Sequence, residues 1–282
     1  MTMAMEQTFD PGALEAQVSG SSFYPAMKLM PKVERLAMFA IYGFCRQVDD
    51  IGDDGQGTRP DRAAALDQWR ADLDALYAVR PAGQAAFLGE AVRRYGLDKA
   101  DFLTVIDGMA MDVAEDIVAP SLATFDLYCD RVASAVGRLS VKVFGMEPAP
   151  GIELAYHLGR ALQITNILRD LDEDAAIGRL YLPRELLEGT GITVTTPAGV
   201  IDHPRIDKAC QKLAVMAREH YAAADAVLAK KPKGRLMTPR LMAAVYGAIL
   251  NKTAAAGWSP PRKRASVGKA SLLLIVLKCM MG

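Results

Sequence analysis

Nearly every long segment of this 282-residue chain repeats its apolar residues every three or four positions, and alternating strand patterns are scarce. A chain patterned this way hides its apolar stripes by packing helix against helix. Alanine is abundant and Gly or Pro punctuates the segments. That pattern predicts helices over 31–51, 60–78, 83–95, 99–115, 122–144, 151–174, 183–188, 205–229, 238–256 and 265–279. The β-like stretch 192–196 is expected in a loop before Pro197. With 51% hydrophobic residues, the chain can build a large core. No repeat, low-complexity segment or linker divides it, so one all-α domain over 1–282 is expected.

Two acidic clusters interrupt this apolar pattern. Asp49-Asp50-Ile51-Gly52-Asp53 closes the run 38–48, and Asp170-Leu171-Asp172-Glu173-Asp174 closes the run 161–169. Carboxylates on apolar helices are costly to bury without a counter-charge. Residues four apart share a helix face, which groups Asp49 with Asp53, and Asn166 with Asp170 and Asp174. Hard oxygen donors with no Cys or His beside them suit Mg²⁺ or Mn²⁺ rather than zinc. Arg46 and Arg169 lie beside these carboxylates, an arrangement that makes sense if phosphate sits between them. Either cluster alone reads most simply as a solvated turn, and Gly52, Gly55 and Gly57 do stop the first helix. The pair together points to metal and phosphate.

Other features narrow the field. Formal net charge is zero, which disfavours nucleic acid as a partner. Cys45, Cys129, Cys210 and Cys279 show no short spacing, so neither a disulfide scaffold nor a structural zinc site is expected, and a reducing cytoplasm fits. His157, His203 and His220 form no HExxH motif and read as structural. No secretory signal is visible. Near the C-terminus, Arg262-Lys263-Arg264 and Lys269 precede the apolar run 272–277, far short of the roughly 20 residues that span a bilayer. A terminal helix docked on the core is the first expectation. The alternative is peripheral contact with an anionic membrane surface, shared with Lys230-Lys231-Pro232-Lys233-Gly234-Arg235.

Ala133, Gly137 and Val141 repeat at four, with Ala135 and Ser140 nearby. Small residues on one helix face either admit a neighbouring helix or line a cavity for a long apolar ligand. Met38, Phe39, Leu139, Leu162 and Ile164 are expected as further wall. A deep apolar cavity beneath metal-binding carboxylates suits a lipid tail carrying a diphosphate.

Four motifs carry a family resemblance. They are Tyr42-x-Phe44-Cys45-Arg46-x-Val48-Asp49-Asp50-x-x-Asp53, Tyr128-Cys129-x-x-Val132-Ala133-x-x-Val136-Gly137, Gln163-x-Thr165-Asn166-Ile167-Leu168-Arg169-Asp170-x-x-Glu173-Asp174 and Gly178-Arg179-Leu180-Tyr181-Leu182-Pro183. Together they resemble the squalene/phytoene synthases, which join two isoprenoid diphosphates head to head. The resemblance runs from about residue 19 to about residue 258 and leaves 259–282 as a basic and apolar tail. The segments 19–24 and 128–140 look most like the presqualene diphosphate synthases of bacterial hopanoid pathways. Two departures stand out: Ser19 occupies the place of a histidine common in the family, and Gly247 that of an arginine.

The resemblance implies an isoprenoid-synthase helical bundle with a central apolar cavity. It implies Mg²⁺ at Asp49, Asp53, Asn166, Asp170 and Asp174. It places Ser21, Ser22, Phe23, Tyr42, Arg46, Gln163, Arg169 and Tyr246 toward the substrates, with Ala133 and Gly137 along the cavity. Tyr128 falls near the reacting carbons, with Arg46 and Arg169 assisting diphosphate departure; either Tyr128 or the released diphosphate takes the proton. The substrate implied is farnesyl diphosphate, with hand-over to squalene-forming enzymes downstream, and no NADPH is expected. Squalene synthase with NADPH and phytoene synthase on geranylgeranyl diphosphate are the nearest alternatives. A non-catalytic helical binding or assembly protein is the alternative outside enzymes, and the intact acidic clusters weigh against it. The Tyr-Cys and Gly-Arg-Leu-Tyr-Leu-Pro motifs weigh against a head-to-tail prenyltransferase or terpene cyclase.

Overall fold

The computed structural model describes residues 12, 15, 16, 23–53 and 57–281, the side chains of Pro25, Asp53 and Met281 excepted. Helices dominate: α1 (Tyr24–Lys28), α2 (Lys32–Asp53), α3 (Arg59–Tyr77), α4 (Gly89–Tyr95), α5 (Lys99–Ala114), α6 (Leu122–Cys129), α7 (Ala135–Val143), α8 (Pro148–Arg169), α9 (Leu171–Ala176), α10 (Arg184–Glu188), α11 (Pro197–Ile201), α12 (Ile206–Ala229), α13 (Met237–Ala256) and α14 (Lys269–Met281). A 3₁₀ turn, Gly83–Leu88, leads into α4. Among the described residues the only β-type pairing is an isolated parallel bridge, Val118 with Leu180.

Local chemistry sets several boundaries. Thr58 and Asp61 form a reciprocal capping box that starts α3. The Ser121 hydroxyl accepts from the Thr124 N–H at 3.1 Å and starts α6. Gly96, at φ 59°, takes the left-handed turn that ends α4. Two short helices, α1 and α11, were not expected from periodicity; each is a single turn with Pro in its first positions, too short to show a repeat.

Three expected helices are interrupted: 83–95 is α-helical only from Gly89 because Gly83–Leu88 winds as 3₁₀, and two others break internally. The segment 122–144 carries a π-helical turn at Asp130–Ser134, where the Ala135 N–H bonds the Asp130 carbonyl. The turn changes which residues share a face. In an uninterrupted α-helix, Gly137 would lie about two and a half turns beyond Tyr128, on the opposite side. The wider π turn brings both onto the cavity side. The segment 151–174 breaks at Asp170 (φ −107°), but the Asp170 N–H still bonds Asn166 and the Asp174 N–H still bonds Asp170. The predicted one-turn spacing of these three residues therefore survives the break.

Apolar side chains fill two adjoining cores. In the first, Phe44 of α2 meets Trp69 of α3 and Phe102 of α5 edge-on, at 5.3 and 5.0 Å. In the second, α8 packs on α12, and the Trp258 indole donates to the Leu168 carbonyl at 2.8 Å. Helix α8 contributes to both cores. It approaches α7 closely because the residues between them are small: a Cβ on Gly137 would lie 3.1 Å from the Ala155 backbone. The small-residue stripe admits this neighbour, and Ala133, Gly137 and Val141 also line a cavity.

Candidate active site

That cavity measures about 230 Å³ and lies among α2, α5, α7, α8 and α13. Its apolar wall includes Val105, Met109, Val132, Val136, Phe144, Leu158, Leu162 and Met242. Of the five further wall residues expected from sequence, only Leu162 lines it. Met38, Phe39, Leu139 and Ile164 are buried in the cores instead, because their helix faces turn toward neighbouring helices. The polar lining comes largely from the last turns of α2 and α8: Tyr42, Arg46 and Asp49 from the first, Gln163 and Asn166 from the second. Phe23 joins them, stacked on Tyr246 at 5.0 Å and edge-on to Tyr42 at 6.1 Å.

Arginines balance the carboxylates. Arg46 reaches Asp50 at 2.8 Å and Asp49 at 3.5 Å. Arg169 grips Asp170 through Nε and Nη2, and Tyr246 hydrogen-bonds Arg169. Arg264 adds a second cation to Asp170 at 2.8 Å and lies 3.4 Å from Glu173. Arg262 holds Asp172 at 2.6 Å and donates to the Ile201 and Trp258 carbonyls. The basic run 262–264 bears on the membrane contact raised as the alternative to a docked terminal helix. Two of its three cations tie the tail to the second acidic cluster, Arg262 at Asp172 and Arg264 at Asp170.

Asn166 offers the clearest sign of an intended ligand. Its side-chain oxygen is buried and has no hydrogen-bond partner. An amide oxygen left so has an unmet need that a cation or a ligand donor would satisfy. Among the described residues, no three His, Cys, Asp or Glu side chains converge into a ready-made metal cage.

Tyr128 sits at the cavity wall over a second polar cluster. Its hydroxyl donates to Asp112 Oδ2 at 3.1 Å, and the Tyr181 hydroxyl donates to Asp112 Oδ1 at 2.7 Å. The two rings stack at 4.9 Å. Arg179 lies 4.0 Å from Asp112 and donates to the Gly52 carbonyl at 2.7 Å, so it ties the end of the first acidic motif to this cluster. Arg62 donates to the same carbonyl at 2.9 Å. These bonds answer the free carbonyls that a helix end leaves. Burial, reinforced by the nearby Asp112 charge, pushes the Tyr128 phenol well above its usual range, so it stays protonated.

The structure therefore brings Phe23, Tyr42, Arg46, Asp49, Tyr128, Ala133, Gly137, Gln163 and Asn166 to one cavity. Arg169 and Tyr246 adjoin it through the Phe23–Tyr246 stack. Asp170 and Asp174 follow Asn166 across the α8–α9 break. Ser21, Ser22 and the Asp53 side chain lie outside the described residues. Sequence reasoning missed Asp112 and Arg264. The only signal for Asp112 was a single carboxylate in the apolar segment 108–113, and Arg264 had been assigned to the tail.

Comparison with known proteins follows the same lines. The sequence signature described as squalene/phytoene synthase matches residues 16–271. The chain is 57% identical to a presqualene diphosphate synthase of Zymomonas mobilis, covering 97% of this chain and 94% of that one. It is 50% identical to a presqualene diphosphate synthase of Rhodopseudomonas palustris, covering 98% and 99%. Among solved structures, a dehydrosqualene synthase superposes with a TM-score of 0.83 at 23% identity, over 96% of this chain and 95% of that one. A squalene synthase from Alicyclobacillus acidocaldarius gives 0.76 at 26% identity, over 89% and 95%.

Proposed function

This chain belongs to the squalene/phytoene synthase family, and from that premise we propose that it condenses two farnesyl diphosphates head to head into presqualene diphosphate, releasing diphosphate. It is a head-to-head prenyltransferase. The observation that carries the reading is one cavity that joins an apolar wall to Tyr42, Arg46, Asp49, Gln163 and Asn166. An apolar chain fits the wall, and a diphosphate fits the arginines and oxygen donors.

Asp49, Asp53, Asn166, Asp170 and Asp174 are proposed to hold magnesium, with manganese as a substitute. The orphaned Asn166 oxygen and the all-oxygen donor set fit such an ion. When bound, the metal supplies positive charge that offsets the charge of the departing diphosphate. Arg46 and Arg169 add fixed cations on the same side, preorganised by their carboxylate partners. The apolar wall keeps water from the allylic cation left behind. The second substrate's double bond attacks that cation, a proton is lost and a cyclopropane closes. Tyr128 is proposed to stand beside the reacting carbons, presenting a neutral phenol. Ser21, Ser22, Phe23, Gln163 and Tyr246 are proposed to bind substrate, with Ala133 and Gly137 flanking the prenyl chain.

The reaction is proposed to stop there without NADPH, leaving the product to squalene-forming enzymes. Among the described residues, no helix is long and apolar enough to cross a membrane. A peripheral contact with anionic membrane in the cytoplasm is proposed for the outer face of α14. The decisive binding test is thermal stabilisation by farnesyl thiodiphosphate. The analogue is expected to raise Tm only with Mg²⁺, and Asp49→Asn or Asp170→Asn to abolish the rise. Equal stabilisation without Mg²⁺, or in either variant, would remove the metal-diphosphate reading.

A further inference from the structure

Asp112 is a buried carboxylate, 3% exposed, to which the reaction above gives no role. It lies on α5 and is not among the residues that line the cavity. It accepts two phenol hydrogens, from Tyr128 at 3.1 Å and from Tyr181 at 2.7 Å. Arg179 pairs with it at 4.0 Å and also donates to the Gly52 carbonyl at 2.7 Å. The carboxylate is therefore held in place by four elements: α5, α6, the 178–183 segment and the end of α2.

This arrangement bears on where the proton goes. A neutral phenol can accept a proton only as it gives up its own. Tyr128 lines the cavity and directs its O–H at Asp112. Its hydroxyl links the cavity lining to the carboxylate.

Building on the proposed condensation and on the place of Tyr128 beside the reacting carbons, we propose that Asp112 is the positioning residue that receives the proton lost during ring closure, relayed through Tyr128. The electron pair of the breaking C–H bond closes the cyclopropane and quenches the cation. The proton passes to the Tyr128 oxygen while the Tyr128 hydroxyl proton moves to Asp112 Oδ2. The cation and the carboxylate thus become a neutral hydrocarbon centre and a carboxylic acid, with Tyr128 a neutral phenol before and after. The reverse relay hands the proton to the released diphosphate, which the reaction itself supplies, and restores the carboxylate. Before ring closure, the Asp112 charge also faces the cation across Tyr128 and favours it electrostatically. Tyr181, as second donor, fixes the carboxylate so that Oδ2 stays on Tyr128.

The test is Asp112→Asn, which keeps the shape and an acceptor oxygen but removes the base. The expected result is a kcat lower by about 100-fold, the scale of a lost general base. KM, Tm and Mg²⁺-dependent binding of farnesyl thiodiphosphate should stay close to wild type. With substrate deuterated at the carbon that loses its proton, the isotope effect on kcat should exceed that of wild type, and Asp112→Glu should restore most of the rate. A kcat close to wild type in Asp112→Asn would overturn the relay. So would a loss of rate accompanied by weaker analogue binding and an unchanged isotope effect. If Asp112→Asn fails to fold, the wild-type enzyme decides. The relay requires ring closure to slow in D₂O, because the Tyr128 hydroxyl exchanges with solvent, and an unchanged rate of that step contradicts it. Tyr128→Phe separates the two layers. Full activity in Tyr128→Phe would refute the reading beneath the relay; an inactive Tyr128→Phe beside an active Asp112→Asn would refute the relay alone.

Discussion

His157 of α8 and His220 of α12 face each other with their Nδ1 atoms 2.9 Å apart, a spacing at which the two imidazoles accommodate one shared proton. Tyr156 packs beside both rings, Arg160 lies over Tyr156 at 3.7 Å, and Asp126 holds Arg160 at 2.7 Å. Burial, then the neighbouring His157 and Arg160, push His220 from 6.5 down to about 4, against a weaker opposing pull from Asp126. As pH falls below 6.5 the unfolded chain takes up a proton at this residue and the folded chain does not. Stability is therefore full above pH 6.5 and declines between about 6.5 and 4. A Tm series across that window should show this decline, and His220→Gln should flatten it; an equally steep series in the variant would contradict the assignment. From sequence both histidines read as structural, but not as a pair, since 63 positions separate them. The same limit hid the partners of the acidic clusters. Helix spacing grouped Asn166, Asp170 and Asp174 because those positions are local. The pairing of Arg264 with Asp170, 94 positions away, exists only in three dimensions.

At the scale of elements, period and punctuation marked out the long helices, because burial of one face imposes the repeat that the sequence displays. They did not mark the π turn at Asp130–Ser134, whose residues carry ordinary helical preferences and whose wider turn is set by packing on α5 and α8. That turn decides which small residues share the cavity with Tyr128. Helix α14 behaves differently on its two faces. Leu272, Ile275, Val276 and Cys279 pack on the core, as the docked-helix expectation held. Leu273 and Met280 stand 60% and 69% exposed, with Leu274 and Leu277 on the same side and Lys269 and Lys278 near the two ends. A charged rim around an apolar strip is what an anionic bilayer surface accommodates. Co-sedimentation with phosphatidylglycerol vesicles should therefore be strong for wild type at low salt and much weaker for Leu273→Gln combined with Met280→Gln. Equal binding by both would dispose of α14 as the contact.

Across the whole molecule, helix α8 joins the two cores while its last turns carry Gln163, Asn166 and Arg169 to the site. Arg179 binds the first acidic motif to the Tyr128 cluster, and Arg262 and Arg264 bind the second to the tail. The site is thus built from segments far apart in the chain, and each long-range tie supplies a charge or donor that a buried or half-buried group needs. The motifs announced the family in advance because they set particular side chains at helical spacing. The cavity's outline was not announced, because it depends on which apolar residues the helix crossings leave unpacked. The central claim concerns the product. Purified protein incubated with farnesyl diphosphate and Mg²⁺, with and without NADPH, and read by mass spectrometry tests it most directly. Presqualene diphosphate should accumulate under both conditions; squalene as the main product, or no turnover of farnesyl diphosphate, would contradict it.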